Sequence, residues 1–97
     1  MNQTPTELIG KVISTESKKV YDKKSPYYLN PYFRLKVLTE DKEQHTFFVY
    51  PNLVDQTLWK ALEQSQYVDK RYLFCGEKRK YGLVLYRWAE LKEGLHA

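Results

Sequence analysis

Nine tyrosines, four phenylalanines and two tryptophans share a 97-residue chain with sixteen Lys and Arg. Aromatic rings stack on nucleobases while Lys and Arg meet phosphates, so the two residue types interleaved at close spacing suit recognition of a single strand. They interleave in three places. Lys18, Lys19, Lys23 and Lys24 alternate with Tyr21, Tyr27 and Tyr28; Tyr32 precedes Arg34 and Lys36; and Lys78, Arg79 and Lys80 lead into Tyr81. Phe48, Tyr50, Tyr86 and Trp88 complete the candidate set. The whole chain carries only +4, but residues 11–24 hold five Lys against Glu16 and Asp22, and residues 70–80 hold five Lys or Arg against Glu77. The positive charge is therefore polarised into two segments, +3 and +4, while Glu40, Asp41 and Glu43 gather the opposite sign around Lys42. Such polarisation favours an electrostatic groove over a generally basic surface. Tyrosines also fill strands and protein interfaces, so an adaptor or subunit of a larger complex is the alternative reading.

Catalysis has little to stand on. His45 and His96 are far apart in sequence, and Cys75 follows Phe74 in an apolar run, where a buried inert thiol is usual. There is no glycine-rich phosphate loop, metal-ligand spacing or nucleophile elbow, so no enzyme, metal or cofactor is expected. One cysteine excludes an intrachain disulfide. No run reaches the roughly 18 apolar residues of a membrane span, and the Met-Asn-Gln-Thr-Pro start lacks the basic-then-apolar pattern of a secretion signal. The expected place is the cytoplasm or nucleoid, or an organellar matrix after removal of a transit peptide, and not the secretory route or a membrane.

These residues must be positioned by a single domain over residues 7–92, with residues 1–6 a flexible N-terminus and 93–97 a short tail. The pattern predicts strands from Glu7 to about Val20, Tyr32 to Leu38, Gln44 to Tyr50, Lys70 to Gly76 and Tyr81 to Leu91. The second has a period of two, placing Phe33, Leu35 and Val37 on one face and Tyr32, Arg34 and Lys36 on the other. Phe33, Leu35, Val37 and Leu73 are expected in the core. In the third strand Phe47 and Val49 oppose Phe48 and Tyr50, which leaves its ligand face open. Pro26 and Pro31 break the segment between the first two strands. Asn52 or Asp55 is placed to cap an amphipathic helix over about 53–66, with Trp59 packing it onto the sheet. Glu77–Lys80 is expected as a turn. Gly10 suits a strand too sharply curved to carry a side chain.

Three strands, a helix and two strands, with a long first connection, is the element order of the OB-fold, a five-stranded Greek-key barrel. An open sheet with one helix packed on it shares that order. In the barrel, ligands lie on strands two and three between the loops joining strands one to two and four to five. Ile9-Gly10-Lys11-Val12 resembles the first-strand motif of bacterial and organellar single-stranded-DNA-binding proteins. Tyr32-Phe33-Arg34-Leu35-Lys36-Val37 is similar to that family's second strand, Lys70 to Glu77 to its fourth, and Trp88-Ala89-Glu90-Leu91 falls where its fifth closes the barrel. The resemblance implies binding of single-stranded DNA, with RNA the other possible strand. It also implies a dimer or higher oligomer and helicase or replication proteins as partners. The family's acidic, Phe-ended tail, which recruits those partners, has no counterpart in Gly94-Leu95-His96-Ala97. In this respect the chain is similar to tail-less relatives such as primosomal single-strand-binding proteins.

Overall fold

The computed structural model describes residues 4–92. Five strands, β1 (Thr4–Lys19), β2 (Pro31–Thr39), β3 (Gln44–Val49), β4 (Arg71–Arg79) and β5 (Gly82–Leu91), close a barrel in the order β1-β2-β3-β5-β4. The one short helix, α1 (Gln56–Glu63), lies between β3 and β4. All neighbours run antiparallel except β3 and β5, which pair in parallel through Phe47–Leu83 and Phe48–Val84. This closed, mixed, five-stranded barrel is OB-fold-like, as the order of elements predicts.

β1 makes closure possible by serving two neighbours. Its first part, Thr4 to Lys11, pairs with β4, and from Gly10 onward it pairs with β2. The strand bends at the handover, and an atom at the Cβ position of Gly10 would lie 2.3 Å from the carbonyl oxygen of Leu38. Residues 4–6, expected to be frayed, instead pair with Gly76, Glu77 and Lys78. β4 runs three residues beyond its expected end at Gly76 and supplies the edge on which Thr4, Pro5 and Thr6 pair. Consequently Glu77–Arg79 is strand, and the turn into β5 shrinks to Lys80 and Tyr81.

The core holds the inward side chains of four strands, Phe33, Leu35 and Val37 from β2, Phe47 and Val49 from β3, Tyr72 and Phe74 from β4, and Leu85 from β5, with the half-buried Leu8 and Val12 of β1 packed against them. Leu73, expected among them, points outward, because strict alternation sends its neighbours Tyr72 and Phe74 inward. Leu58 and Leu62 of α1 are 3% exposed and add to this core, and Trp59 rests 4.7 Å from the Phe33 ring. The helix is shorter than expected. Asp55 captures the Leu58 N–H at 2.8 Å, and a turn closed from Leu53 N–H to the Tyr50 carbonyl occupies the residues before it. Beyond Glu63 the chain leaves the helix at Gln64 and reaches a positive φ at Ser65. The expected tail, residues 93–97, lies outside the described residues.

Candidate nucleic-acid interface

With Phe47 and Val49 fully buried, Phe48 and Tyr50 must face outward, which resolves the ambiguity of the third strand. They join the outward face of β2. The register sets Arg34 beside Phe48, Lys36 beside Thr46, and Lys18 of β1 beside Tyr32. Four rings close a cycle on this surface. Tyr32 lies 6.2 Å from Phe48 and 5.6 Å from Tyr50, and Tyr81 lies 6.0 Å from Phe48. The proximity of the Tyr50 and Tyr81 phenols completes the circuit. Partial burial, and the neighbouring Tyr81 phenol after it, push the Tyr50 phenol up to about 12.

Gly82 seats this platform. Its φ of +142° belongs to glycine, and a Cβ there would lie 2.8 Å from the Phe48 ring. Nothing in the sequence pattern singles out this glycine, which opens β5 directly after the two-residue turn.

The predicted cations divide into two kinds. Arg34 meets Glu16 at 3.4 Å, and its Nε is shielded from solvent with no hydrogen-bond partner. Arg79 donates to Glu77 at 3.2 Å, bonds to the Tyr86 hydroxyl and lies 5.6 Å from that ring's centroid. The Tyr86 hydroxyl, and Arg79 after it, hold the Glu77 carboxyl below its usual range; the same bond raises the Tyr86 phenol. These arginines are partly committed to the protein itself. By contrast, Lys18, Lys19, Lys23, Lys24, Lys36, Lys78 and Lys80 make no ion pair with any described residue.

The β1–β2 connection, residues 20–30, is long but ordered by its own bonds. Val20 N–H donates to the Asn30 carbonyl at 3.0 Å, Lys24 N–H to Asp22 Oδ1 at 3.0 Å and Tyr27 N–H to Ser25 Oγ at 3.0 Å. Leu29 closes the loop at a positive φ of 67°. The loop presents Tyr21, Tyr27 and Tyr28 to solvent, 72%, 54% and 39% exposed, on either side of the exposed Lys23 and Lys24. Asn30 and Tyr27 border a cavity of about 310 Å³ whose other walls include Tyr50, Arg79 and Tyr81, so the loop and the β4–β5 turn meet over one end of the platform.

Two predicted residues stand apart. Trp88 stacks on the buried Tyr72, with ring centroids 4.1 Å apart, and packs against the core because it shares the inward face of β5. Tyr86 has no direct partner opposite it. The β4–β5 register slips between Cys75 and Gly76, and the hydroxyl of Tyr86 is spent on Glu77 and Arg79. Sequence reasoning missed Glu16, whose position opposite Arg34 is visible only once the β1–β2 register is known.

Among the described residues no group of three or more His, Cys, Asp or Glu side chains stands close enough to hold a metal ion, and no helix is long and apolar enough to cross a membrane. Comparison with protein-family models, curated proteins and solved structures found no match.

Proposed function

We propose that this chain is a non-catalytic binder of single-stranded nucleic acid. The strand stacks its bases on Tyr32, Phe48, Tyr50 and Tyr81, and lysines around the platform take its phosphates. The observation that carries the reading is the coincidence on one barrel face of a four-ring aromatic cycle with lysines that pair with no acidic side chain among the described residues. Each stacked base contributes about 1–3 kcal/mol regardless of its identity. Three or four stacks with a similar number of phosphate contacts give micromolar affinity or somewhat better and little sequence preference. The bases of a duplex are already stacked and cannot use the platform.

DNA is favoured over RNA by the resemblance to tail-less single-strand-binding proteins. That resemblance also motivates a role in replication or repair, in the cytoplasm or on the nucleoid. A second reading, association with a partner protein or another copy of the chain, is favoured by a different observation. Ile9, Leu73 and Ala89 align across β1, β4 and β5 on the outer surface, and Ile9 is 41% exposed.

Fluorescence anisotropy of a labelled oligo-dT of about 30 nucleotides, with duplex DNA as competitor, tests the proposal. Each neutralised phosphate contributes a slope of about −0.7, so three or four contacts weaken binding about 20- to 50-fold between about 50 and 200 mM salt. A flat titration at low salt refutes the reading and turns attention to the apolar row.

A further inference from the structure

We propose that the cavity at the end of the platform takes one unstacked nucleobase of the bound strand and reads its edge. This inference rests on the single-strand reading and adds to it a position at which base identity matters. The cavity measures about 310 Å³ and is walled by Asn30 and Tyr27 from the β1–β2 loop, Tyr50, Asn52 and Leu53 after β3, and Tyr81 of the β4–β5 turn. Its volume lies at the lower end of small-ligand sites, suited to one planar ring system with apolar contacts and a few polar groups.

Three features point to a base in particular. First, Tyr50 and Tyr81 belong both to the aromatic cycle and to the cavity wall, so a strand lying on the platform brings its next base to the cavity. Second, Asn30 and Asn52 are exposed in the cavity wall, so their side-chain amides are open to a ligand. Each amide presents donors and an acceptor, the complement of a base edge. Third, Arg79 lies in the same wall, fixed by Glu77, where a backbone phosphate following the inserted base would meet it. A paired base has this edge occupied by its partner, so the cavity accepts an unpaired one only. The result is a mostly sequence-blind surface with a single selective position at one end.

The test compares the full chain with its Asn30→Ala/Asn52→Ala variant on the shortest dT oligomer that binds with full affinity, a length that prevents sliding. A single abasic site is walked along the oligomer, and binding is read by anisotropy. At stacking positions the abasic penalty is equal in the two proteins. At one position near the strand's end the intact protein shows a penalty about tenfold larger than the variant does, the scale of losing an edge contact. Equal penalties in both proteins at every position overturn the cavity assignment and leave the platform standing. No binding of the intact oligomer overturns both. Should the double variant melt below the assay temperature, Asn52→Leu alone, which fills the cavity with an apolar group, is held to the same outcomes.

Discussion

Replacing Gly10 by alanine tests the handover in β1 on which the closed barrel depends. The new methyl carbon would stand 2.3 Å from the Leu38 carbonyl oxygen, 2.9 Å from its carbon and 3.1 Å from Thr39 Cα. Unstrained contacts to such atoms lie near 3.5 Å, so β2 must retreat by about 1 Å at a point where it is paired. All three obstacles are backbone, and no rotamer change removes them. Gly10 does not sit at a positive φ, so alanine also gains about 0.4–1 kcal/mol by restricting the unfolded chain. Overpacking of this kind costs about 1–3 kcal/mol, and the strained β1–β2 pairing places it at the upper end. The net loss is about 2 kcal/mol, which lowers Tm by about 8–16 °C for a domain of this size. Differential scanning calorimetry of the two proteins measures it. An unchanged or raised Tm would falsify the register that brings Gly10 opposite Thr39. Because the clash lies at the Leu38 end of β2, oligo-dT affinity measured well below Tm stays within about twofold.

Tyr50→Ala and Trp88→Ala separate platform from core. The first lowers oligo-dT affinity about 5- to 150-fold, the cost of one stack, and the second leaves affinity alone while removing about 2–4 kcal/mol of stability through lost packing on Tyr72. Anisotropy and thermal melts on both variants decide, and the reverse pattern would reassign the two residues. Asp55→Ala deletes the helix cap, worth about 1 kcal/mol, so calorimetry should find Tm about 4–8 °C lower. Glu77→Gln probes the carboxyl held low by Tyr86 and Arg79. A depressed value means the ionised form stabilises the fold above the ordinary carboxylate range and ceases to do so as pH falls through the folded value. Wild type therefore melts above the variant at neutral pH, and the gap closes as pH falls below the ordinary carboxylate range. A gap independent of pH would mean that the charge of Glu77 plays no part.

The architecture was legible because the second strand alternates cleanly and because Gly10, Pro51 and Asp55 punctuate the chain where the backbone turns. The platform was legible in half. Tyr32, Arg34 and Lys36 follow from a period of two, but Phe48 and Tyr50 did not, since Phe47 and Val49 are equally apolar. Only the pairing of Phe33 with Val49 settles which side faces in. Leu73 went wrong, and Trp88 was not readable as core or surface, for a related reason. In β4 and β5 both faces carry large side chains, and parity is set by neighbouring strands across the slip at Cys75 and Gly76. Glu77–Arg79 read as a turn from its charge, yet Glu77 and Lys78 pair with Val84 and Leu83 on one side and with Pro5 and Thr4, more than 70 positions away, on the other. The cavity between Asn30 and Asn52 has no linear signature at all, because three separate connections build it.

The double duty of β1 has a consequence for the order of folding. Leu8 and Phe74 are paired neighbours although 66 positions separate them in the chain. Closing so long a loop costs entropy that local contacts cannot offset, and chains dominated by such pairings fold slowly. The β1–β2–β3 meander can form early from neighbours in sequence. The barrel cannot shut until β4 has been made and returns to the first part of β1. During synthesis on the ribosome that part of β1 must wait as an open edge, and there the growing chain is most exposed to pairing with the wrong partner.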